Sequence, residues 1–436
     1  MISDICKFLN DGKEVAFYFY LLVLLFIHLL FLKYLGNNLL YILFLIMKKL
    51  LAMSVAALAI LICLDILIVD KSINDNPATD HTDIQLYIER ARTILNGGLL
   101  YKDVVTRTPP LINYLLVPPV YFGASALAFE IYFSFFIVLT VLAIYHFLSS
   151  IDKKLAFIAS LAFLFVPTTL ATPTLCRQDE SIVVFFFILP LLLLYASGRK
   201  YVYSFLSSLG VWLKMHSIFL IPPFLLRQRG KELAKHIAIM ATVSIAITLP
   251  FLILAFKEFT WYLKFYLLGE GGELEGISLW RLLDANGVKI PSLVLIAILA
   301  VTLITIYIKF YKKSLWKCIL LSLIAYFIIY PKIHYEYFLM LFSIAIPYLA
   351  EHKRKIMLLY TISILTSITL LIEQRYLDWK TTQYAYWVFV PIAIISMIAV
   401  DGILIYLSRH ISGNNFWLDK VEIDEMNEMN GKEAVE

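Results

Sequence analysis

Asp83 and Tyr87 stand four residues apart near the head of a long polar stretch, PATDHTDIQLYIERARTILNGGLLYKDVVTRTPPLINY, that interrupts an otherwise apolar chain. Thr82-Asp83-Ile84-Gln85 fits a capping box, with Thr82 as N-cap and Gln85 reaching back to the cap nitrogen. Ile84, Tyr87, Ile88, Ala91 and Leu95 follow at helical spacing, and Gly97-Gly98 supplies the stop. The pattern predicts an amphipathic helix lying on the membrane surface, apolar side down, with Glu89, Arg90 and Arg92 turned to water. Asp83 falls in its first turn, where unpaired backbone N–H groups and the helix dipole favour a carboxylate. A carboxylate held ionised beside a membrane suits a general base; an Asp in this place also serves simply to start a helix. Asp80 is the second candidate for the same role.

Other reactive side chains are scattered along the chain. Lys214 and His216 lie inside YVYSFLSSLGVWLKMHSIFLIPPFLL, and an ionisable residue at membrane depth points to function by default, whereas a lysine stem can also snorkel to an interface. Arg177, Asp179 and Glu180 share the turn CRQDE ahead of an apolar run, where they fit either a polar site or the cap of the next helix. Lys332, His334 and Tyr337 belong to the turn YPKIHYEY. Arg107, Arg177, Lys214 and Lys332 are the cations that could meet a phosphate, Arg through a bidentate fork and Lys as a compact charge; His216 and His334 could add donors. Trp280 offers an aromatic face in GEGGELEGISLWRLLDANG, a glycine-hinged loop of the kind that closes over ligands. No metal-ligand spacing is visible, and neither metal nor cofactor is expected.

These residues require a membrane scaffold to bring them together. With 61% hydrophobic and 16% charged residues and a mean hydropathy of +0.82, the chain lies outside the soluble range. The expected fold is all-α and polytopic, with about 11–13 transmembrane helices, some of half length, at about 20 residues per full crossing. The candidate runs are Val15–Leu32, Leu50–Val69, Leu127–Leu148, Leu155–Leu170, Ser181–Ala196, His236–Ala255, Ser292–Ile308, Ser314–Ile329, Tyr337–Leu349, Ile356–Ile372 and Tyr386–Ser408. Short runs imply tilt or part-crossings. Val15–Leu32 lacks a small-residue cleavage site and reads as a retained anchor within an N-terminal segment 1–49; Leu39–Met47 is too short to span and fits an interface. Residues 50–410 form the bundle, and 411–436 the tail, whose acidic composition from Asn414 onward predicts disorder on the cytoplasmic side. The four cysteines suggest neither a disulfide framework nor a metal knuckle, and the net charge of +5 reflects loop lysines rather than affinity for nucleic acid.

Lys48-Lys49, Lys153-Lys154, Arg199-Lys200, the Arg227 to Lys235 cluster, Lys309 to Lys313 and Lys353 to Lys355 fall on one side if crossings alternate, and that side is the cytoplasm. The parity requires Tyr201–Leu226 to enter and leave from the same side, as two half-helices meeting at WLKMHS. Residues 70–110, 171–180, 256–290 and 330–337 then all face outside.

On these residues the chain resembles the GT-C superfamily of polytopic glycosyltransferases, most closely the branch that uses polyprenyl-phosphate mannose. Asp83, Tyr87, Ala91, Gly97 or Gly98, Tyr101 and Pro109-Pro110 match its first outer loop, although Leu100 stands where many relatives have proline. Lys214 with Pro222-Pro223, and His334 with Tyr337 and Pro347, match two later motifs. The resemblance covers roughly Thr82 to Tyr348 and implies Asp83 as the base that deprotonates an acceptor hydroxyl, with Asp80 as fallback. It implies a lipid-phosphate sugar donor and inversion at the anomeric carbon, with a glycan, glycolipid or protein as acceptor. Lys214, His216, Arg107, Lys332 and His334 would face the donor phosphate; Arg177, Asp179, Glu180, Tyr87, Tyr337 and Trp280 would face sugar or acceptor. A transporter or flippase of a lipid-linked saccharide would also use an ionisable group at depth, but the dominant first loop and lack of internal repeats favour the transferase.

Overall fold

The computed structural model describes residues 40–71, 73, 82–268, 276–372 and 383–421. Val15–Leu32 and Asp80 lie outside these residues. Seven helices among those described are long and apolar enough to cross a membrane: Ile46–Asp70, Ala126–Leu148, Glu180–Ser197, Gly230–Leu254, Ser292–Phe310, Lys353–Ile372 and Val388–Val421. The chain is an all-α polytopic membrane protein, and Leu315–Ile329 is a shorter apolar helix between two of these spans.

Local chemistry sets the helix ends. Helix α1 (Leu40–Asp65) absorbs Leu39–Met47 except its first residue, so this stretch is no separate interfacial segment. It runs into a π-turn at Ile66–Asp70, and α2 (Ile84–Leu95) follows in the first polar stretch. Ser125 caps α3 (Ala126–Leu148) by accepting from the Ala128 N–H at 3.2 Å, and Asp152 caps α4 (Lys153–Leu164) through Leu155 at 2.9 Å. The expected run Leu155–Leu170 breaks before Pro167, because proline excludes the preceding residue from the helical region. Helix α5 (Glu180–Ser197) ends at Gly198, whose φ of 61° suits the left-handed C-cap that glycine adopts without strain. Then come α6 (Lys200–Leu213), α7 (Gly230–Leu254), α8 (Ser292–Phe310), α9 (Leu315–Ile329), α10 (Phe338–Tyr348), α11 (Lys353–Ile372) and α12 (Gln383–Gly413).

Helix α5 is the central post. Of its apolar stretch 83% is buried, against 17% for Ile46–Asp70 and for α8, which therefore lie at the periphery. It packs on α3, α6 and α10; α1 covers α3, and α11 pairs with α12. At peripheral helices apolar side chains such as Ile253, Ile308 and Ile395 stay exposed, as lipid contact requires.

The chain beyond α12 departs from expectation. Phe416, Trp417, Leu418 and Asp419 are buried, so the tail docks into the bundle before leaving the described residues at 421. The Trp417 indole N–H donates to the Pro347 carbonyl at 2.7 Å. Asp419 accepts from the Tyr348 hydroxyl at 2.6 Å and the Phe416 N–H at 2.9 Å, and pairs with the buried Lys317 ammonium at 3.1 Å. Composition marked this stretch as solvated because its acidic residues dominate the average, while its few aromatic residues are the ones that dock.

Removing one partner of a buried ion pair typically costs about 3–5 kcal/mol, because the other charge stays desolvated. Asp419→Ala is therefore expected to lower the thermal unfolding midpoint in detergent clearly below wild type, and Lys317→Met combined with Asp419→Ala to recover part of the loss; a single variant as stable as wild type would show that the latch carries no weight.

Candidate functional site

The polar segments expected on the outer side meet at one end of the bundle. Their framework is a buried cluster around Arg177. The guanidinium hydrogen-bonds to Asp65 and Asp70, and its Nε lies 3.0 Å from Glu130 Oε1. These three carboxylates belong to the end of α1, the π-turn and the first turns of α3. On a straight α-helix, residues five apart point about 140° from each other; the wider π-turn returns Asp70 to the face that carries Asp65. Arg177 itself has φ 51°, an uncommon conformation for a residue with a Cβ, which persists where surrounding contacts over-determine it. The oxygens of Asp65, Asp70 and Glu130 come within 4.8 Å of one another, a spacing a cation could share, although no sequence motif signalled it. The guanidinium already supplies positive charge there. Arg177 thus belongs to the framework, and a sugar-facing role does not fit its contacts.

The turn that Arg177 fixes presents Gln178, Asp179 and Glu180. Gln178 Nε2 donates to Asp83 Oδ2 at 3.2 Å, and its Oε1 accepts from the Tyr87 hydroxyl at 2.8 Å. Asp83, rather than Thr82, is the N-cap of α2, and its side chain makes no capping bond. The carboxylate points across to Gln178 instead of serving its own helix. Helix α2 packs on the short helices Pro110–Leu115 and Val117–Tyr121, and Tyr87 meets the rings of Phe129 and Phe133 at 5.9 and 6.1 Å. Arg90 is buried with the apolar face, contrary to the expectation that it faces water.

Lys214 stands at the break between α6 and the 3-10 turn Met215–Leu220, with an extended backbone, as the two-half-helix reading expected. Gly210 makes the return possible, since a Cβ there would lie 2.6 Å from Ser217 Oγ. The ammonium pairs with Asp179 at 3.2 Å and with Glu180, and lies 5.1 Å from the Tyr337 ring centroid. His216 packs at 4.5 Å against Tyr337 and shares a 2.8 Å hydrogen bond with the Tyr326 hydroxyl. His334 lies 5.1 Å from the same Tyr337 ring.

Glu336, in the same turn, joins this group although the motif reading passed over it. Burial raises its carboxyl to about 7; Asp83 and Asp179 push the same way, while Lys214 and the backbone pull against them. Burial, followed by Asp179 and Asp83, also holds the Tyr87 hydroxyl well above its ordinary value. Gln178 was equally missed, since a neutral amide between charged neighbours carries no motif. Both become visible only when the turns are brought together.

The remaining candidates are placed otherwise. Trp280, half-buried, donates its indole N–H to the Ile328 carbonyl at 2.8 Å, an in-plane bond that anchors the ring to the end of α9. With it, Ile277 N–H donates to the Ile333 carbonyl at 2.7 Å and Ser278 Oγ to the Pro331 carbonyl at 2.5 Å. Gly276, at φ 96°, passes so close that a Cβ would sit 2.2 Å from the Ile333 oxygen. Residues 276–280 therefore clamp the turn that carries His334 and Glu336, while the glycines at 269, 271 and 272 on which a closing loop would hinge lie outside the described residues. Arg107 is exposed and Lys332 half-buried.

A carboxyl whose folded pKa is about 7 binds a proton that the unfolded chain has released above about 4.5. Its contribution to stability is present below the unfolded value and is lost as pH rises through 7. Wild type is thus expected to lose more of its thermal midpoint between pH 5 and pH 7.5 than Glu336→Gln, whose profile should be flatter; parallel profiles would contradict the placement of Glu336. No protein-family model and no curated protein matches the chain, so what this site does has to be argued from its own geometry.

Proposed function

We propose that the chain is a membrane glycosyltransferase that moves a hexose, with mannose favoured, from a polyprenyl-phosphate donor to an acceptor hydroxyl at the extracytoplasmic face of the plasma membrane. The observation that carries the reading is the convergence of Asp83, Gln178, Asp179, Glu180, Lys214 and Glu336 from separate polar turns, with the Asp83 carboxylate aimed away from its own helix. A carboxylate bound by one amide, beside a framework fixed through Arg177, suits a positioned base.

In this reading Asp83 takes the acceptor proton as the hydroxyl oxygen attacks the anomeric carbon. The carbon–oxygen bond to the lipid phosphate breaks on the opposite face, the phosphate leaves with the electron pair, and configuration inverts. Charge gathers on the departing phosphate, where fixed positive groups lower the barrier most; His334, Lys332 and the Lys214 ammonium carry that role. Asp179 and Glu180, which neutralise Lys214 in the resting site, hold it in place and are well suited to accept sugar hydroxyls. Acceptors in keeping with this chemistry are a glycan, a glycolipid or a protein hydroxyl. The C-terminus faces the cytoplasm, in line with the basic residues of the opposite end.

One observation favours a second reading. The acid excess around a Lys214 that is already paired, with Glu336 near 7, would also suit proton-coupled transport of a lipid-linked saccharide.

Removing a positioned general base typically costs about 10²–10⁴ in rate. Purified wild type in nanodiscs, given radiolabelled polyprenyl-phosphate mannose and a lipid and glycan extract, is expected to form a labelled product, and Asp83→Asn to lose that activity by this factor while still binding donor. Transfer at full rate by Asp83→Asn would remove Asp83 as base; donor crossing vesicles without any covalent product would establish the transporter.

A further inference from the structure

We infer that the cleft between α11 and α12, at the end of the bundle opposite the site, binds an anionic phospholipid. The two ends are separated by the helices themselves. Tyr335, beside Glu336, shares a 3.0 Å hydrogen bond with Ser367 late in α11, and from there back to Lys353 the helix covers about 21 Å. At that end a cavity of about 830 Å³ opens between α11 and α12.

Its chemistry is divided. The mouth carries His352, Lys353, Arg354 and His410, with Glu351 the single acid. His352, Lys353 and Arg354 are exposed. The wall is apolar, formed by Leu358, Ala399 and Ile403. Lys355, turned inward, bonds the Tyr406 hydroxyl at 2.5 Å with its ammonium 4.1 Å from the ring centroid, which ties the two helices together at the mouth. On α12, Ile395 and Ile398 stand one turn before the cleft-lining Ala399 and Gly402 and are exposed, so the cavity opens toward lipid. A cationic mouth over an apolar wall fits a phosphate headgroup with its acyl chain, and the charge selects an anionic lipid over a zwitterionic one. A free phosphate would have no use for the wall.

A neighbouring cavity on the other side of α11 provides the contrast. It has a similar volume, about 780 Å³, but its charged lining mixes Asp152 and Glu351 with Lys154 and Lys353. Near-balanced charge gives no selection for an anion.

The test uses the full chain, delipidated in detergent and offered phosphatidylglycerol and phosphatidylcholine at equal concentration, with bound lipid read by native mass spectrometry. Wild type is expected to retain phosphatidylglycerol in preference. Lys353→Gln with Arg354→Gln should weaken that binding by roughly 25-fold, about fivefold per charge, while Lys312→Gln with Lys313→Gln, an equal charge loss elsewhere, should leave it unchanged. Gly402 lines the cleft, and a Cβ there meets nothing within 4 Å. Gly402→Leu should therefore fold normally, fill the cleft and lower lipid binding with every charge retained. Equal retention of the two lipids by wild type, an unchanged preference in both cleft variants, or displacement of the lipid by millimolar inorganic phosphate would each overturn the proposal.

Discussion

The guanidinium of Arg177, bound among Asp65, Asp70 and Glu130, is the interaction on which the arrangement of the outer turns depends. It joins the last residues of α1, the π-turn and the start of α3 to the turn ahead of α5, so that the ends of three helices share one charge. Arg177 and Glu130 are buried, and a buried cation of this kind is stable only while its partners remain. The consequence is geometric. With Arg177 held in a left-handed conformation, the next three residues are committed in direction: Gln178 toward Asp83 and Tyr87, Asp179 and Glu180 toward Lys214.

A second constraint places the other half of the site. Gly210 allows Ser217 to pack against α6, which returns the chain within a few residues and leaves Lys214 at the apex. Gly276 does the same for the 330–337 turn by letting one backbone pass against another. Neither glycine touches the polar cluster, yet a side chain at Gly210 would displace Ser217, whose N–H donates to the Lys214 carbonyl, and one at Gly276 would displace the backbone of Ile333 and His334. Site geometry here comes from close backbone approaches among apolar elements, which is the form rigidity takes where most side chains face lipid or each other.

Much of this was legible in the sequence and some was not, for definable reasons. Apolar runs bounded by charges gave the helices, because a spanning segment must satisfy its backbone internally. The break at Lys214 was legible because the alternation of basic loops requires Tyr201–Leu226 to enter and leave from the same side. The turns carrying Asp83, Asp179 and His334 stood out as polar islands. What could not be read was pairing. Asp65 and Asp70 are unremarkable at the end of an apolar run until a π-turn brings them to one face and Arg177, more than a hundred residues later, arrives between them. Arg177, read by residue type as a ligand-binding cation, is committed to the framework, and the backbone carbonyl that anchors the Trp280 ring lies on an element nearly fifty residues later. Gln178 and Glu336 were overlooked because their importance lies in their neighbours. The docking of residues 416–419 was hidden by the acidic composition that follows them.

Three cations held inside the bundle, at both of its ends, are matched by carboxylates. Arg177 is matched by carboxylates from α1, the π-turn and α3; Lys214 by the turn before α5; Lys317 of α9 by Asp419 from the docked tail. Each pair joins segments distant in sequence, and each becomes a liability if the segments fail to meet, since a charge left unpaired in this interior stays desolvated. The charged residues thereby tie down which distant segments meet, and the polar site lies at the end where Lys214 is outnumbered by Asp179, Glu180 and Glu336.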